Sequence, residues 1–572
     1  MNYKIGIDVD GVLRDFCDAV TRVVKRDFPH YIKDDFTEID PVGSLSDTAL
    51  QNATGVDLLL TGAYSVLDGI RNGGPGADWT KSGDNWWLDA ISDDAHKGST
   101  DGDQADLLAI ELFTWDTTNP YFEGRWQALF AGVNRANAVI DLINNSDDPS
   151  IFTSQLAQAR FLRGHYNFEL QRMWVNIPYI SDENYGASEF NQPNSGPIWS
   201  QIEADFSFAA NNLDTSRSAF GRPIRSAAQA YLGRTLLYQG KWAEALTQLE
   251  AVIGSGDYAL NSDYSANFRS AGENSSEMIF AIQFASDGGQ SPQGNRGGTL
   301  NMPIGAMTGG MCCGFYQPTI DLGNAFQTDS NGLPLASWAT TDIVSDYGIY
   351  ETEAFTPHTG PLDPRIDYTI GRRGIDLNGF GPMTGKDNIR ASFTDISGPY
   401  VNKKNLYTAG DDTNKGTGGW GEQRTGINYH ILRYADVLLM AAEAAVETGA
   451  LEVGRGYVNQ VRARAKNGPR ADSSPNYVID TYNSAWTDQA AARNAVRHER
   501  RVELAMEGHR LFDLRRWGTM VSTLNTYIAN ESRTIANFGT KANAVQEKHN
   551  ALPIPLNAID SSQGALKQNA GH

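Results

Sequence analysis

Cysteine is scarce in this chain of 572 residues: only Cys17, Cys312 and Cys313 occur. Three thiols, two of them adjacent, exclude a disulfide-built scaffold and a cysteine-based zinc site. The adjacent pair reads as two packed or loop thiols rather than a vicinal bridge, because disulfide geometry disfavours neighbours. Positive charge is also short, with 47 Lys and Arg against 68 Asp and Glu, a net charge of −21. Such a surface repels phosphate backbones and anionic headgroups, which excludes nucleic acid and a polybasic membrane contact. No run approaches the ~18 apolar residues of a membrane helix. The spacings HExxH, GxSxG and the P-loop are missing as well, so the familiar hydrolase and nucleotide sites have no counterpart.

What is present is apolar enough to fold, at 40% hydrophobic and 20% charged residues, and rich in glycine (57), tryptophan (12) and tyrosine (23). The chain opens MNYKIGIDVDGVLRDF. Tyr3 to Val9 reads as a buried strand, and Asp8 and Asp10 follow at its end, a spacing suited to a nucleophile and an acid/base sharing magnesium. The segment resembles the first motif of haloacid-dehalogenase-like phosphatases. The rest of that chemistry does not follow, so residues 1–40 are expected to be a foreign or fused fragment. An apolar leader does not precede Cys17.

Beyond residue 41 the periodicity is helical. One helix is expected after a cap at Ser46 or Asp47, others over Arg125–Asn144 and Ser154–Trp174. Residues 226–256 place Ala228, Leu232, Thr235 and Leu236 on one face, turn at Gly240, and resume with Trp242, Ala245 and Leu249. That is a tetratricopeptide-like hairpin. A second hairpin spans 431–465 and turns near Gly449. Between them, residues rich in Gly, Pro, Asn and Asp predict a loop-rich lobe. The fold class is therefore mainly α: a helical-hairpin scaffold over about 41–255 and 426–572, with a lobe over about 256–425. Length alone allows three to four domains at ~150 residues each, but the pattern reads as one integrated body.

Two groups invite a catalytic reading. Glu499, Glu503 and Glu507 recur every fourth residue on one helical face, as paired glycosidase carboxylates could. Arg500, Arg501, Arg510, Arg515 and Arg516 crowd the same stretch and hold carboxylates ionised, the wrong direction for a general acid. An ion-pair helix is expected, with Gly508 allowing close packing of a neighbour. His165, among Arg163, Tyr166 and Phe168, reads as a satisfied core histidine. No catalytic, metal or cofactor residues are assigned.

The aromatic loops carry more. In residues 76–103, Trp79, Trp86 and Trp87 stand among Lys81, Asp84, Asn85, Asp89 and Lys97. Flat rings suit the apolar faces of sugars, and charged or amide groups suit the hydroxyl rim. Phe315, Tyr316 and Trp338 in the lobe offer a second set. Trp87 is expected inside; Trp242 and Trp517 are core; Trp420 is a further platform or a partner contact. The ligand set read from these loops is Trp79, Asp84, Asn85, Trp86, Lys97, Tyr316 and Trp338.

In order along the chain, PVGSLSD, SDDAHKG (92–98), RANAVID (135–141), ARFLRGHYNFELQRMWVNIPYI (159–180), LDPR (362–365), RYADVLLMAAEAAVE (433–447), VNQVRARA (458–465), RHERRVELAMEGHRLFDLRRWG (497–518) and LPIP (552–555) resemble the SusD/RagB family. The resemblance covers about 41–572. It implies a non-enzymatic, glycan-binding lipoprotein on the extracellular face of the outer membrane. Its expected partners are an oligosaccharide or polysaccharide and a SusC-like TonB-dependent transporter. A neutral β-glucan of laminarin type fits the acidic surface; a peptide ligand, or phosphatase chemistry at Asp8, is the alternative. The resemblance implies a signal peptide and a lipid-bearing cysteine just before Pro41; neither is read there, and a missing or replaced export segment is the expectation.

Overall fold

The computed structural model describes residues 50–70, 79–185, 191–285, 295, 297–411, 414–415 and 424–572. Asp8, Asp10, Cys17, Ser46, Asp47 and Trp420 lie outside the described residues.

In chain order the elements are α1 (Ala53–Ser65), α2 (Trp86–Asp89), β1 (Ala95–Gly98), α3 (Ala105–Glu111), α4 (Pro120–Asn144), α5 (Thr153–Trp174), α6 (Trp199–Asn212), α7 (Arg225–Tyr238) and α8 (Trp242–Ser255). The lobe contributes β2 (Met278–Ile282), β3 (Phe315–Pro318), α9 (Ile320–Ala325), α10 (Ile366–Thr369), β4 (Ile370–Gly371) and β5 (Val401–Asn402). The chain then returns through β6 (Tyr429–Arg433), α11 (Tyr434–Glu447), α12 (Leu451–Asn467), α13 (Gln489–Leu504), α14 (Arg510–Arg516), α15 (Met520–Glu531), α16 (Ala536–Lys541) and α17 (Leu556–Ser561).

Local chemistry sets the helix ends. Asn119 caps α4 by accepting from the Tyr121 amide at 3.0 Å, and Pro120 takes the first helical position, where its missing N–H costs nothing. Gly240 and Gly449 close the two hairpins in the left-handed conformation, at φ 70° and 85°. The α1 helix begins at Ala53, where Asn52 caps it by accepting from the Gly55 amide at 3.1 Å; the Ser46 or Asp47 cap read from the sequence lies outside the described residues.

Successive helices pack side by side from α4 through α8, and α8 meets α11, which joins the two halves of the scaffold. α11 then packs on α12 and α13. One apolar cluster runs from Leu50 to Ile554 through both halves. The lobe leaves and re-enters the scaffold on paired strands: β2 and β6 are antiparallel, with Met278 opposite Arg433 and Ile282 opposite Tyr429. A second antiparallel pair, β1 with β3, ties residues 95–98 to the lobe.

The charged stretch 497–516 is not one helix. α13 stops at Leu504, and α14 starts at Arg510. Between them Gly508 sits at φ 75°, where an added Cβ would lie 2.7 Å from the Asn85 Cβ. The glycine therefore serves a close backbone approach to the segment before α2, not to a neighbouring helix.

Candidate functional site

The segment 79–104 enters the body as a short 3₁₀ turn (79–81), α2 and β1. Because β1 pairs with β3, this segment is a joint between scaffold and lobe rather than a free surface loop. That placement decides the fate of the sequence-derived ligand set. Trp86 is 3% exposed, with its ring 6.2 Å from Phe315 and 5.7 Å from Tyr316. The Tyr316 hydroxyl donates to Asp89 Oδ2 at 2.6 Å, and the same oxygen accepts the Gly508 amide at 2.9 Å. Burial, with the Asp94 charge nearby, pushes the Asp89 carboxyl up to about 7.

The polar members are likewise turned inward. Asp84 accepts from Ser82 Oγ at 2.8 Å, and burial pushes its carboxyl up to about 6. Asn85 donates to Glu169 at 3.3 Å. Lys97 gives its ammonium to the carbonyls of Gly98, Thr100 and Asp103 at 2.7, 2.9 and 2.9 Å, and lies 4.9 Å over the Phe315 ring. Its burial lowers the pKa to about 8. The structure does bring Trp86, Lys97 and Tyr316 together, but inside the joint. Asp84, Asn85, Trp86, Lys97 and Tyr316 are thus corrected from ligand contacts to buried structural groups: Trp86, Lys97 and Tyr316 pack at the β1–β3 pair, and Asp84 and Asn85 pack against Ser82, Gly297, Glu169 and Gly508.

Trp79 and Trp338 differ. Both are half-buried. Trp338 rests 5.8 Å from the His498 ring and 5.3 Å from the Arg501 guanidinium, on α13. Trp79 donates from Nε1 to Gln104 Oε1 at 3.3 Å, and Gln104 also accepts from the Tyr121 hydroxyl at 3.0 Å. Next in sequence, the exposed-side carboxylate of Asp103 receives Arg390 Nη1 at 2.6 Å. The same nitrogen lies 3.7 Å from Cys312 Sγ. Cys312 and Cys313 are joined by a disulfide, which corrects the reading of two free thiols. A small apolar cleft adjoins at Met311, with Met302, Leu377, Phe380, Leu406 and Tyr407 among its lining residues.

These groups make a connected strip: Trp79, Gln104, Asp103, Arg390, Cys312 and Met311. It alternates apolar surface with donors and acceptors, the two demands of a sugar ring. Of these groups only Trp79 belongs to the set read from the sequence; Asp103 and Arg390, which meet here, are 287 residues apart.

Glu503 and Glu507 are held ionised, the wrong state for a general acid. Burial alone would raise Glu507, yet Arg433 and Lys404 hold it at about 2. Glu503, between Arg464, Arg433 and Arg365, is held lower still. Trp87 is fully buried as expected, and His165 is buried beside the Tyr231 hydroxyl at 3.2 Å, its pKa lowered to about 3 by burial. Among the described residues no three His, Cys, Asp or Glu converge as a metal site, and no helix is long and apolar enough to cross a membrane.

Comparison with known proteins places the chain. Residues 276–572 match the SusD family, and residues 66–237 match a family described as starch-binding and associating with the outer membrane. A SusD-like protein of Formosa agariphila is 24% identical over 453 residues, 78% of each chain. A SusD superfamily protein from Bacteroides vulgatus superposes with a TM-score of 0.68 at 23% identity, covering 91% of this chain and 100% of that one. Surface glycan-binding protein A from Bacteroides thetaiotaomicron, solved with laminarihexaose, superposes at 0.63 with 20% identity, over 90% of this chain and 99% of that one. The two superpositions establish the helical fold. The sequence match over more than half its length shows that the chain belongs to the SusD family, a family of non-catalytic proteins.

Proposed function

We propose that this protein binds a neutral oligosaccharide or polysaccharide at the outer face of the outer membrane and hands it to a TonB-dependent transporter. The strip that begins at Trp79 carries the reading: a half-buried ring held by Gln104, followed by the Asp103–Arg390 pair and a small apolar cleft at Met311. Held rings and fixed polar groups bind sugars with little ordering cost. A net charge of −21 favours uncharged glycans over uronates or sulfates. The laminarihexaose-bound relative makes a laminarin-type β-glucan the first ligand to try. Residues 1–40 are proposed to have no part in binding.

A glycan array probed with the full chain tests this. Retention on at least one neutral polysaccharide, and none on sulfated or uronate polymers, is the expected result. Failure to bind any glycan, with binding to peptides instead, would overturn it.

A further inference from the structure

The lobe carries an exposed ring held on a rigid backbone. Tyr350 is 55% exposed. An isolated exposed tyrosine is unremarkable, but the backbone beneath this one is clamped. Arg373 donates to the carbonyls of Tyr350, Glu351 and Glu353 at 3.2, 2.8 and 2.7 Å, and the Tyr350 amide donates to Glu353 Oε2 at 2.7 Å. The ring leans on Phe393, 5.2 Å between centroids at 68°, and Tyr347 packs on the same phenylalanine at 5.9 Å. The Tyr347 hydroxyl donates to the Phe393 carbonyl at 3.3 Å. Lys386 lies 5.4 Å over the Phe393 ring while its ammonium donates to the carbonyls of Ile389 and Ala391 at 2.9 and 2.6 Å.

Arg373 thus fixes the backbone that carries the open ring, and Lys386 fixes the backbone leading to the phenylalanine on which that ring leans. Ordering an exposed side chain before any ligand arrives lowers the entropy lost on binding. Glu351 and Asp387 stand exposed on the same segments and supply acceptors for hydroxyls. The patch also continues the Trp79 strip. The Asp101 amide donates to Asp395 at 3.2 Å, the Ile396 amide donates back to Asp101 at 2.8 Å, and Arg390, three residues before Phe393, holds Asp103.

From this continuity and the preset ring, we infer that Tyr350, backed by Phe393, is a second contact surface for a neutral glycan chain already seated at Trp79. The inference rests on the proposed carbohydrate binding and extends it to the length of ligand engaged. Tyr350 stacks on a sugar face; Phe393, shielded by Lys386 and the two tyrosines, is the positioning residue.

Calorimetry on the full chain tests it, with laminarin and laminaritriose as probes and with Tyr350→Ala, Tyr350→Phe and Trp79→Ala as variants. Tyr350→Ala should weaken laminarin binding about tenfold, the loss of one stacked ring, and leave the trisaccharide unchanged. Tyr350→Phe, which keeps the ring, should bind like the wild type. An unchanged melting temperature for Tyr350→Ala shows that the fold is intact. Wild-type affinity of Tyr350→Ala for laminarin, beside a binding-competent wild-type chain, overturns this inference alone. A wild-type chain that binds neither laminarin nor any other glycan overturns the proposed function with it.

Discussion

Arg365, in the lobe, donates from Nη1 to Glu499 Oε1 on α13 at 2.6 Å, and both side chains are buried. The same nitrogen reaches Glu503 at 2.8 Å, and Asp363 takes the other edge of the guanidinium at 2.6 Å. Arg433 bridges Glu277, Glu503 and Glu507; Arg462 holds Glu499; Lys404 of the lobe holds Glu507 at 2.7 Å. The glutamates that mimic a glycosidase pair are the fastening of lobe to scaffold. Charges this deep are tolerated only when fully paired.

Removing one partner should therefore be severe. Glu503→Gln leaves Arg365, Arg433 and Arg464 short of a buried counter-charge and should cost about 3–5 kcal/mol of unfolding free energy. Urea unfolding followed by tryptophan fluorescence measures it. A loss under about 1 kcal/mol, the value of a surface pair, would mean the network does not fasten the lobe.

The network also sets the acid limit. Glu507 is held at about 2, against 4.5 when free. A depressed carboxyl stabilises the fold above its unfolded pKa, and that stability is lost as pH falls from about 4.5 toward 2. His96 sets an alkaline limit. Burial alone would lower its pKa, but Glu111 at 2.7 Å and Glu531 at 3.0 Å raise it from 6.5 to about 9. A raised histidine stabilises fully below 6.5, and its contribution fades as pH climbs through 9. Melting temperature should peak between about pH 4.5 and 6.5, and His96→Gln should flatten the alkaline side. An unchanged alkaline slope in that variant contradicts the assignment.

Trp86 and Trp79 should separate stability from binding. Trp86→Ala empties a packed site against Phe315 and Tyr316 and should cost about 3–5 kcal/mol. Trp79→Ala removes a half-buried ring and should cost less stability. Thermal unfolding of the two variants distinguishes them; a Trp86→Ala chain as stable as wild type would show that the ring is not core.

Gly508→Ala places a methyl group 2.7 Å from the Asn85 Cβ in a left-handed conformation. It should destabilise by about 2 kcal/mol or more, measured by urea titration. A neutral effect would show that the 505–509 turn relaxes freely.

The scaffold was legible because its signals are local. The Ala228–Leu236 face and the glycines at 240 and 449 each act within a turn or two of sequence, although the sequence reading starts α4 at Arg125, five residues after its first residue Pro120. The ligand face was not. Trp86 and Tyr316 carry the composition of a sugar site, yet their burial follows from β1 pairing with β3 some 220 residues onward, and no nearby residue announces that pairing. Arg390 reaches Asp103 across 287 residues. The charged stretch 497–516 reads as continuous because its charges repeat at helical spacing; the break at 505–509 comes from the approach of Asn85, a tertiary demand. Trp79, at the edge of the joint, is where local composition and tertiary exposure agree.

The most direct test is isothermal titration of the full chain with laminarin, wild type beside Trp79→Ala. Saturable binding by the wild type, weakened at least about tenfold in the variant while the variant stays folded at the temperature of the titration, is the predicted result. Equal affinity of the two proteins would contradict the assignment of the Trp79 strip as the carbohydrate site.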